Sequence, residues 1–429
     1  MLKHTNKDSV FNKHKVVVTG MGIVSSFGHD KKSYWQAIES GKSAITPWQP
    51  QGAEDYPVKY AATVSLSKLR QQFPQHFDNA PLLERRGYFG LVAALEAFKD
   101  AGLDNSKRIG CAACSGVPEM HESEMQELDL LGSYPEALVR HQPTEHSGLT
   151  VTNDSMVAAI AEKLAMTGPI LNVNGACAGA AQAIGMAFKA IQRGEVDVML
   201  AGGADAVTNT RVMSGLFLLG ATATSSSRKD KLCCPFDQAR SGLVAGEGGA
   251  FLVLESEASA LARGATIYAR VEGYGSSMDA YKVTAPHPEG HGAIKAMQAA
   301  LDDAAVTSQD IEYINAHGTS TPLNDAIETT AIKTVFSDRA PSYPAVSSTK
   351  SMIGHWISAA AAPEAIATVM GLYHQIMPPT INLETPDAKC DLDYVAQHAR
   401  PASFKYALSN SFGFGGLNAC LVFGGYAHD

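Results

Sequence analysis

The expected fold is decided by two stretches of sequence, Lys15-Val-Val-Val-Thr-Gly-Met-Gly-Ile-Val24 and Thr266-Ile-Tyr-Ala-Arg-Val-Glu-Gly-Tyr-Gly275. The first is an apolar, β-branched run that leads into glycines, which predicts a buried strand followed by a turn. The second repeats this order. We therefore expect a duplicated unit with halves at residues 15–265 and 266–429, since no linker rich in proline, serine or charge separates them.

Strand and helix patterns alternate along both halves. Strands are predicted at 107–114, 169–173, 196–201, 250–255 and 311–316, and helices at 32–40, 84–101, 154–165, 178–193, 292–304 and 324–336. Such alternation indicates an α/β protein whose parallel or mixed sheets are covered by helices. Residues 118–150 fit neither pattern, and we interpret them as a long irregular excursion with some helix.

The composition excludes several classes of protein. The chain has 429 residues, of which 45% are hydrophobic and 18% charged, so a large buried core is expected and disorder is not. The net charge of −9 and the absence of a basic, aromatic stripe argue against nucleic-acid binding. No apolar run reaches the roughly 18 residues of a membrane span. The polar start and the seven cysteines favour a cytoplasmic protein with reduced thiols.

One cysteine lies where chemistry is expected. In Asn172-Val-Asn-Gly-Ala-Cys177-Ala-Gly-Ala-Ala-Gln-Ala-Ile-Gly185 a predicted strand ends and a helix of small residues begins. Backbone N–H groups and the helix dipole at such a junction favour a thiolate. From this segment alone a buried structural cysteine is an equally good interpretation.

Three further motifs hold polar residues near predicted strand ends. They are Asn315-Ala-His317-Gly-Thr-Ser-Thr-Pro322, Ser347-Ser-Thr-Lys350-Ser-Met-Ile-Gly-His355 and Ser409-Asn-Ser-Phe-Gly-Phe-Gly-Gly416. Functional sites of α/β sheets are built at strand ends, although a lone histidine there is more often a core residue. The glycine run suits a loop that presents backbone N–H groups or gates a pocket.

Together the four motifs resemble the elongating β-ketoacyl-acyl-carrier-protein synthases of the thiolase superfamily. The resemblance extends from Val16 to Gly416 and includes Pro235-Phe-Asp-Gln-Ala-Arg240 and Gly246-Glu-Gly248. It implies a thiolase-like duplicated αβαβα layered fold with two mixed sheets. It also implies a decarboxylative Claisen condensation of an acyl thioester with a malonyl unit on acyl carrier protein, without a cofactor.

The resemblance assigns roles to matching positions. Cys177 would carry the acyl group, and His317 and His355 would donate hydrogen bonds to the enolate. The N–H groups of Cys177 and Phe414 would form the oxyanion hole, and Phe414 would also gate the pocket. Lys350 would give electrostatic support together with Glu364.

Further positions follow from the same resemblance. Asp325 and Asn418 would support the site beside Glu364. Val117, Phe217 and Phe412 would line the acyl pocket, and Arg85 and Arg86 would contact the carrier protein. A buried monovalent-cation site is implied at Asn315, Glu364, Ser409 and Asn410. The expected assembly is a homodimer or a heterodimer with a homologous ketosynthase or chain-length subunit.

Several positions depart from the family pattern. Ser358 and Ala361 replace glycines, Leu417 replaces a threonine and Ser241 an aspartate, and few basic residues precede the helix at 84. These departures leave the acyl length uncertain. They also leave open whether the chain serves fatty-acid synthesis or a type II polyketide or polyene pathway.

Other interpretations of the motifs are weaker. A Cys-His-Asn hydrolase gives Lys350 and the second histidine no task, and a thiolase needs a second catalytic cysteine in the glycine loop. A chain-length-factor-like partner subunit lacks the nucleophile that is present here. We interpret Cys111 and Cys114 as core thiols, and His287 and His291 as surface residues of a loop.

Overall fold

The structure is a computed structural model, and it describes residues 13–50, 56–77, 83–104, 107–116, 152–224 and 228–426. The excursion expected at 118–150 lies outside the described residues, as does Val117. Within the described residues no helix is both long and apolar enough to cross a membrane.

The predicted alternation of strands and helices is confirmed. The strands are β1 Val16–Val24, β2 Thr46–Pro47, β3 Tyr60–Ala61, β4 Ile109–Ser115, β5 Ile170–Val173, β6 Val198–Asp205, β7 Gly248–Ser256, β8 Ala269–Met278, β9 Ile311–Asn315, β10 Ala345–Ser347, β11 Ile376–Met377, β12 Arg400–Pro401, β13 Tyr406–Gly413 and β14 Leu417–Gly425. The helices are α1 Lys31–Glu39, α2 Leu66–Gln72, α3 Pro74–Phe77, α4 Arg85–Asp100, α5 Ser155–Lys163, α6 Gly179–Gln192, α7 Thr210–Leu218, α8 Glu257–Ala262, α9 His291–Ala304, α10 Pro322–Val335, α11 Lys350–Ile353 and α12 Ala361–His374.

The principal strands form one continuous sheet of ten, in the order β10-β9-β13-β14-β8-β1-β7-β6-β4-β5. The expectation of two separate mixed sheets is therefore corrected in this respect. Each half contributes five strands, and a short antiparallel pairing of Val16–Val18 with Ala269–Val271 joins them edge to edge. The sheet is mixed, because β4 pairs parallel with β5 and β6 whereas β6 pairs antiparallel with β7.

Helices cover this sheet in layers. The helices α4 and α5 pack in one apolar core on the strands that the first half contributes to the sheet. The helices α9 and α10 pack in another core on the strands of the second half. The helices α6 and α12 lie in a third core that draws on both halves. The layer order is thus αβαβα, and α12 is deeply enclosed, with 12 of its 14 residues buried.

The duplication is visible at atomic detail in the two glycine pairs. A Cβ at Gly22 would lie 2.1 Å from the Ala93 carbonyl oxygen, and a Cβ at Gly275 would lie 2.2 Å from that of Ala296. The same close approach recurs two residues earlier, at Gly20 and Gly273. In both halves the glycines of the first strand allow a covering helix to contact the sheet backbone.

One tryptophan of the second half packs against glycines of the first half. Trp356 is fully buried. A Cβ at Gly246 would lie 2.8 Å from its indole ring, and one at Gly248 only 2.4 Å away. The indole therefore occupies space that only glycine leaves open, and it fixes the turn that follows His355.

Candidate active site

The three side chains predicted to carry the chemistry stand on turns that follow strands or a short helix. Cys177 follows β5, in a short turn that leads into α6, and His317 follows β9. His355 follows α11, just after Gly354 with φ 69°. Ala176, directly before Cys177, has φ 45°, a conformation that costs an L-residue about 1–2 kcal/mol. Strain of this kind at the nucleophile indicates that the surrounding fold determines its direction.

The structure brings these three side chains together. The Cys177 sulfur and one ring nitrogen from each of His317 and His355 all lie within 4.8 Å of one another. The three residues are 2–3% exposed. The two imidazole rings meet edge to face, with centroids 5.4 Å apart. Bulk water is therefore excluded from a compact group of one thiol and two imidazoles.

Hydrogen bonds to the two imidazoles determine which nitrogen carries the proton. The Lys350 ammonium lies 3.3 Å from His317 Nδ1, and the Ile357 N–H donates to His355 Nδ1 over 3.0 Å. An ammonium and an amide N–H are donors, so both Nδ1 atoms accept, and each neutral ring keeps its proton on Nε2. Burial, followed by the nearby Lys350 charge, holds the pKa of both histidines well below the usual value. The pair therefore offers two neutral N–H donors.

Lys350 is held by the partner that the sequence predicted. Its ammonium forms a buried ion pair with the Glu364 carboxylate on α12. Burial raises the pKa of Glu364 to about 7, and the adjacent Lys350 charge opposes that rise. The ammonium thus lies between a carboxylate and the His317 ring.

The expected stabilisation of a Cys177 thiolate is outweighed by burial. Burial raises the pKa of Cys177 to about 11, although the Phe414 N–H and the Lys350 charge both lower it. The prediction from the helix start was therefore incomplete, because it counted the local dipole and omitted desolvation. At neutral pH the side chain is a thiol.

The glycine loop closes over the cysteine. A Cβ at Gly413 would lie 2.9 Å from the Cys177 backbone nitrogen, so the loop approaches this N–H closely. The next residue, Phe414, directs its N–H towards the Cys177 sulfur. The ring of Phe412 packs near that of His317, with centroids 6.0 Å apart. The backbone N–H groups of Phe414 and Cys177 thus face the thiol, and the Phe412 ring borders the adjacent imidazole.

Asn418 and Asp279 hold this loop from behind. The Asn418 amide donates to Asp279 Oδ1 over 2.9 Å and to the Gly416 carbonyl over 3.1 Å. The Gly415 N–H donates to the Val283 carbonyl over 2.6 Å. The supporting position predicted for Asn418 is consistent with these contacts.

Two buried carboxylates on α10 shape the turn after His317, and only one of them was predicted. Asp325 accepts the Thr319 N–H over 3.0 Å. Glu328 accepts the N–H groups of His317 and Gly318, both over 2.8 Å. The signal for Glu328 was its spacing, since acidic residues three apart share one helix face.

Some predicted site residues lie elsewhere. Arg86 is fully buried, where its guanidinium pairs with Glu84 and donates to the Gly116 carbonyl, so the prediction that it contacts a carrier protein is wrong. Arg85 is 36% exposed and is paired with Glu247. Phe217 is 37% exposed on α7, so it lies at the surface of the chain and not in an enclosed pocket.

The residues predicted to hold a cation are all buried. Among the described residues, both side-chain atoms of Asn315 and the Glu364 Oε2 atom have no hydrogen-bond partner. Asn410 uses its amide for Glu328, over 3.2 Å, and Ser409 is 2% exposed. Unpartnered buried oxygens suit a cation, because burial without a partner is costly.

Comparison with known proteins identifies the family of this chain. The family descriptions "Beta-ketoacyl synthase, N-terminal domain" and "Beta-ketoacyl synthase, C-terminal domain" match residues 13–260 and 268–384. The 3-oxoacyl-[acyl-carrier-protein] synthase 2 of Staphylococcus aureus (strain COL) is 39% identical over 415 residues, which cover 95% of this chain and 98% of that protein. The protein of the same name from Coxiella burnetii is 37% identical over 422 residues, with 96% and 98% coverage.

Solved structures give the same result. The ishigamide ketosynthase/chain length factor superposes with a TM-score of 0.85 and 33% identity, and it covers 97% of this chain and 100% of that one. A type II PKS ketosynthase in complex with its acyl-carrier protein, AntDE:AntF, gives 0.81 and 29%, with 96% and 100% coverage. The chain belongs to the β-ketoacyl synthase family and has its thiolase-like fold. It is a condensing acyltransferase that acts in chain elongation.

Proposed function

We propose that Cys177, His317 and His355 carry out a decarboxylative Claisen condensation between two carrier-bound thioesters. The Cys177 sulfur attacks the acyl thioester, the carrier thiol leaves, and the sulfhydryl proton passes to it. The malonyl thioester then loses carbon dioxide, and its enolate attacks the acyl-Cys177 carbonyl and expels the thiolate. The supporting observation is that one ring nitrogen of each histidine lies within 4.8 Å of the Cys177 sulfur, in a group whose three residues are 2–3% exposed.

The two imidazoles suit the enolate because they are neutral donors. The enolate oxygen gains charge as carbon dioxide leaves, and fixed donors stabilise it without reorganisation. A charged imidazolium would protonate the nucleophilic carbon, and burial disfavours that form. Lys350 is proposed to keep the His317 proton on Nε2, because its ammonium donates to Nδ1.

The N–H groups of Cys177 and Phe414 are proposed as the oxyanion hole for the acyl-Cys177 carbonyl. The close approach of the loop at Gly413 to the Cys177 backbone nitrogen, and the Phe414 N–H directed towards the sulfur, support this assignment. Phe414 is also proposed as the gate of the acyl pocket, and Phe412, whose ring packs near that of His317, would border the pocket.

The rival chemistries lack support in the described residues. A thiolase needs a second cysteine at the site, whereas Cys420 is buried in β14 and bonds to Asn410. A non-elongating partner subunit would have no use for a strained turn at a buried thiol. A monovalent cation at Asn315 and Glu364, with Ser409 and Asn410 nearby, is proposed as structural support for the turns that carry His317 and the glycine loop.

The proposed partners are an acyl carrier protein and a second ketosynthase-like chain. The strand β5 pairs only with β4 among the described strands, and its Ile170 is 40% exposed. An unpaired apolar edge of this kind, directly before Cys177, suits pairing with a like strand of a second copy or a homologue. The seven unpaired thiols fit the proposed cytoplasmic setting.

A dedicated carrier in a polyketide or polyene pathway is proposed over the general fatty-acid carrier. The basic surface expected at Arg85 and Arg86 is reduced, because one guanidinium is buried and the other is paired. Turnover that is equal with the fatty-acid carrier and with a dedicated carrier would count against this assignment.

The central experiment is intact-mass analysis after incubation with acyl carriers of different chain lengths. The expected result is a gain of one acyl group that is absent from Cys177→Ala. The matched control is the same measurement on Cys111→Ala, since Cys111 is a core thiol in β4. Failure to load any acyl group, alone or after co-expression with the nearest homologue, would overturn the proposal.

A further inference from the structure

We infer that the loop from His287 to His291 is a binding site for a divalent transition-metal ion of the zinc and nickel class. One ligand atom from each of His287, Glu289 and His291 lies within 4.8 Å of the other two. Two imidazoles and a carboxylate form the ligand set that zinc takes in open sites, with water in the remaining position. The proposed reaction uses none of these residues.

The backbone of the loop holds the ligands in place. The Gly290 N–H donates to the His287 carbonyl over 2.8 Å, which closes a tight turn. This turn stacks the two imidazole rings with centroids 4.2 Å apart, and Glu289 lies 2.8 Å from His291 Nε2. Ligands of a tetrahedral zinc lie roughly 3.5 Å apart, so small side-chain rotations are sufficient.

The charges around the loop admit a cation. The α9 N-terminus, at His291, opposes a cation, but the Glu289 and Asp279 carboxylates offset it. One hydrogen bond is given up, from the Glu289 N–H to His287 Nδ1 over 3.2 Å. The site is open to solvent, since His291 and Glu289 are 55% and 73% exposed.

The location gives the ion a structural role. Asp279 accepts the His287 N–H over 3.0 Å with one carboxylate oxygen and the Asn418 amide with the other. Its own N–H donates to the Gly416 carbonyl over 2.8 Å. An ion that fixes His287 therefore also fixes the segment against which the glycine loop rests.

The test is calorimetric titration with Zn²⁺ or Ni²⁺ of tag-free Cys177→Ala protein. This background removes the sulfur of the active-site group, whose thiol and imidazoles also meet the spacing of a metal site. One equivalent is expected to bind, and Cys177→Ala/His291→Ala is expected to bind at least about tenfold more weakly. The control is Cys177→Ala/His398→Ala, because His398 is exposed and outside the cluster, and it should bind as the background does.

Two spectroscopic readouts separate this site from others. Bound Co²⁺ should give the absorption of nitrogen and oxygen ligands, and hydrogen exchange of residues 279–291 should slow when the metal is added. Equal binding by the His291 variant, or metal-dependent protection confined to other segments, would overturn the inference. Circular dichroism of each variant establishes that a lost signal is not lost folding.

Discussion

The turn after β5 in the first half carries Cys177, and the turn after β9 in the second half carries His317. Different roles are proposed for these two turns. The strand orders of the two halves correspond, so β5 is equivalent to β10 and β4 to β9. The exit of β10 leads to Lys350 and His355, whereas the exit of β5 leads to the nucleophile. The comparison teaches that a duplicated scaffold supplies equivalent strand ends, while the residues of the turns differ, and with them the roles proposed for the two halves.

The proposed division of roles between the two halves is tested most strongly by removing the side chains of Cys177, His317 and His355 one at a time. Cys177→Ala should abolish acyl loading. His317→Ala and His355→Ala should keep loading and lower condensation about 10²–10³-fold each, because each removes one donor to the enolate. Intact mass reports loading, and release of labelled carbon dioxide reports decarboxylation.

Either histidine variant could contradict this division by its loading behaviour. A His355→Ala or His317→Ala protein that folds but no longer takes an acyl group would show that the second half also serves the nucleophile. A histidine variant that decarboxylates at the normal rate would show that the donors act elsewhere.

The glycine pairs test whether the halves are equivalent in packing. Gly22→Ala and Gly275→Ala each place a methyl group on a helix carbonyl, and each should lower the free energy of unfolding by about 3 kcal/mol. Calorimetric melting measures the loss. Gly215→Ala is the control, because nothing lies within 4 Å of its Cβ position, and it should be neutral or stabilising by up to about 1 kcal/mol. Unequal losses in the two halves would limit the equivalence.

The pH dependence of Cys177 alkylation tests whether the thiol of the first half is protonated at neutral pH. The pKa of this thiol is raised to about 11, so the thiolate fraction grows as the pH rises through the neutral range. Iodoacetamide modification of Cys177 should therefore accelerate about tenfold per pH unit between pH 6 and about pH 10. A plateau near neutral pH would indicate that an imidazole of the second half already holds the proton.

A smaller effect is expected from Glu328. Its carboxylate accepts the N–H groups of His317 and Gly318 and the Asn410 amide, and Glu328→Gln leaves one amide oxygen for three donors. Condensation should fall about fivefold to tenfold with acyl loading unchanged, since one lost hydrogen bond is worth about 1 kcal/mol. The matched variant in the first half is Asp205→Asn, whose carboxylate accepts the Ser358 N–H. A loading defect in Glu328→Gln would count against a role confined to His317.

Much of the fold was predictable because strong local patterns encode it. The apolar runs and glycines near Gly22 and Gly275 predicted the duplicated fold. The ends of predicted strands indicated Cys177 and His317 as candidate site residues. The joining of the two sheets was not predictable, because the pairing of β1 with β8 involves only three residues from each strand. No local pattern distinguishes such a short pairing from two neighbouring edges.

The site was predictable in its members and less so in its electrostatics. The pKa of Cys177 depends on burial by segments distant in sequence, such as the loop at Gly413, and one motif cannot report it. Arg86 had the sequence context of a surface cation, but Glu84 and the Gly116 carbonyl hold it in the interior. Glu328 was missed because its partners are backbone N–H groups, and its spacing from Asp325, which was the signal in the sequence, does not identify those partners.

Because Trp356 packs on Gly246 and Gly248, the sequence of each half constrains the sequence of the other. A side chain gained at either glycine would meet both the indole and a backbone carbonyl, that of Ile353 at 2.2 Å from a Cβ at Gly246 or that of Val24 at 2.3 Å from a Cβ at Gly248, so both positions have to remain glycine. Because Trp356 directly follows His355, such a change in the first half displaces an imidazole encoded by the second. Recombination that exchanges one half with a relative therefore preserves the site only when the glycines and the indole remain compatible.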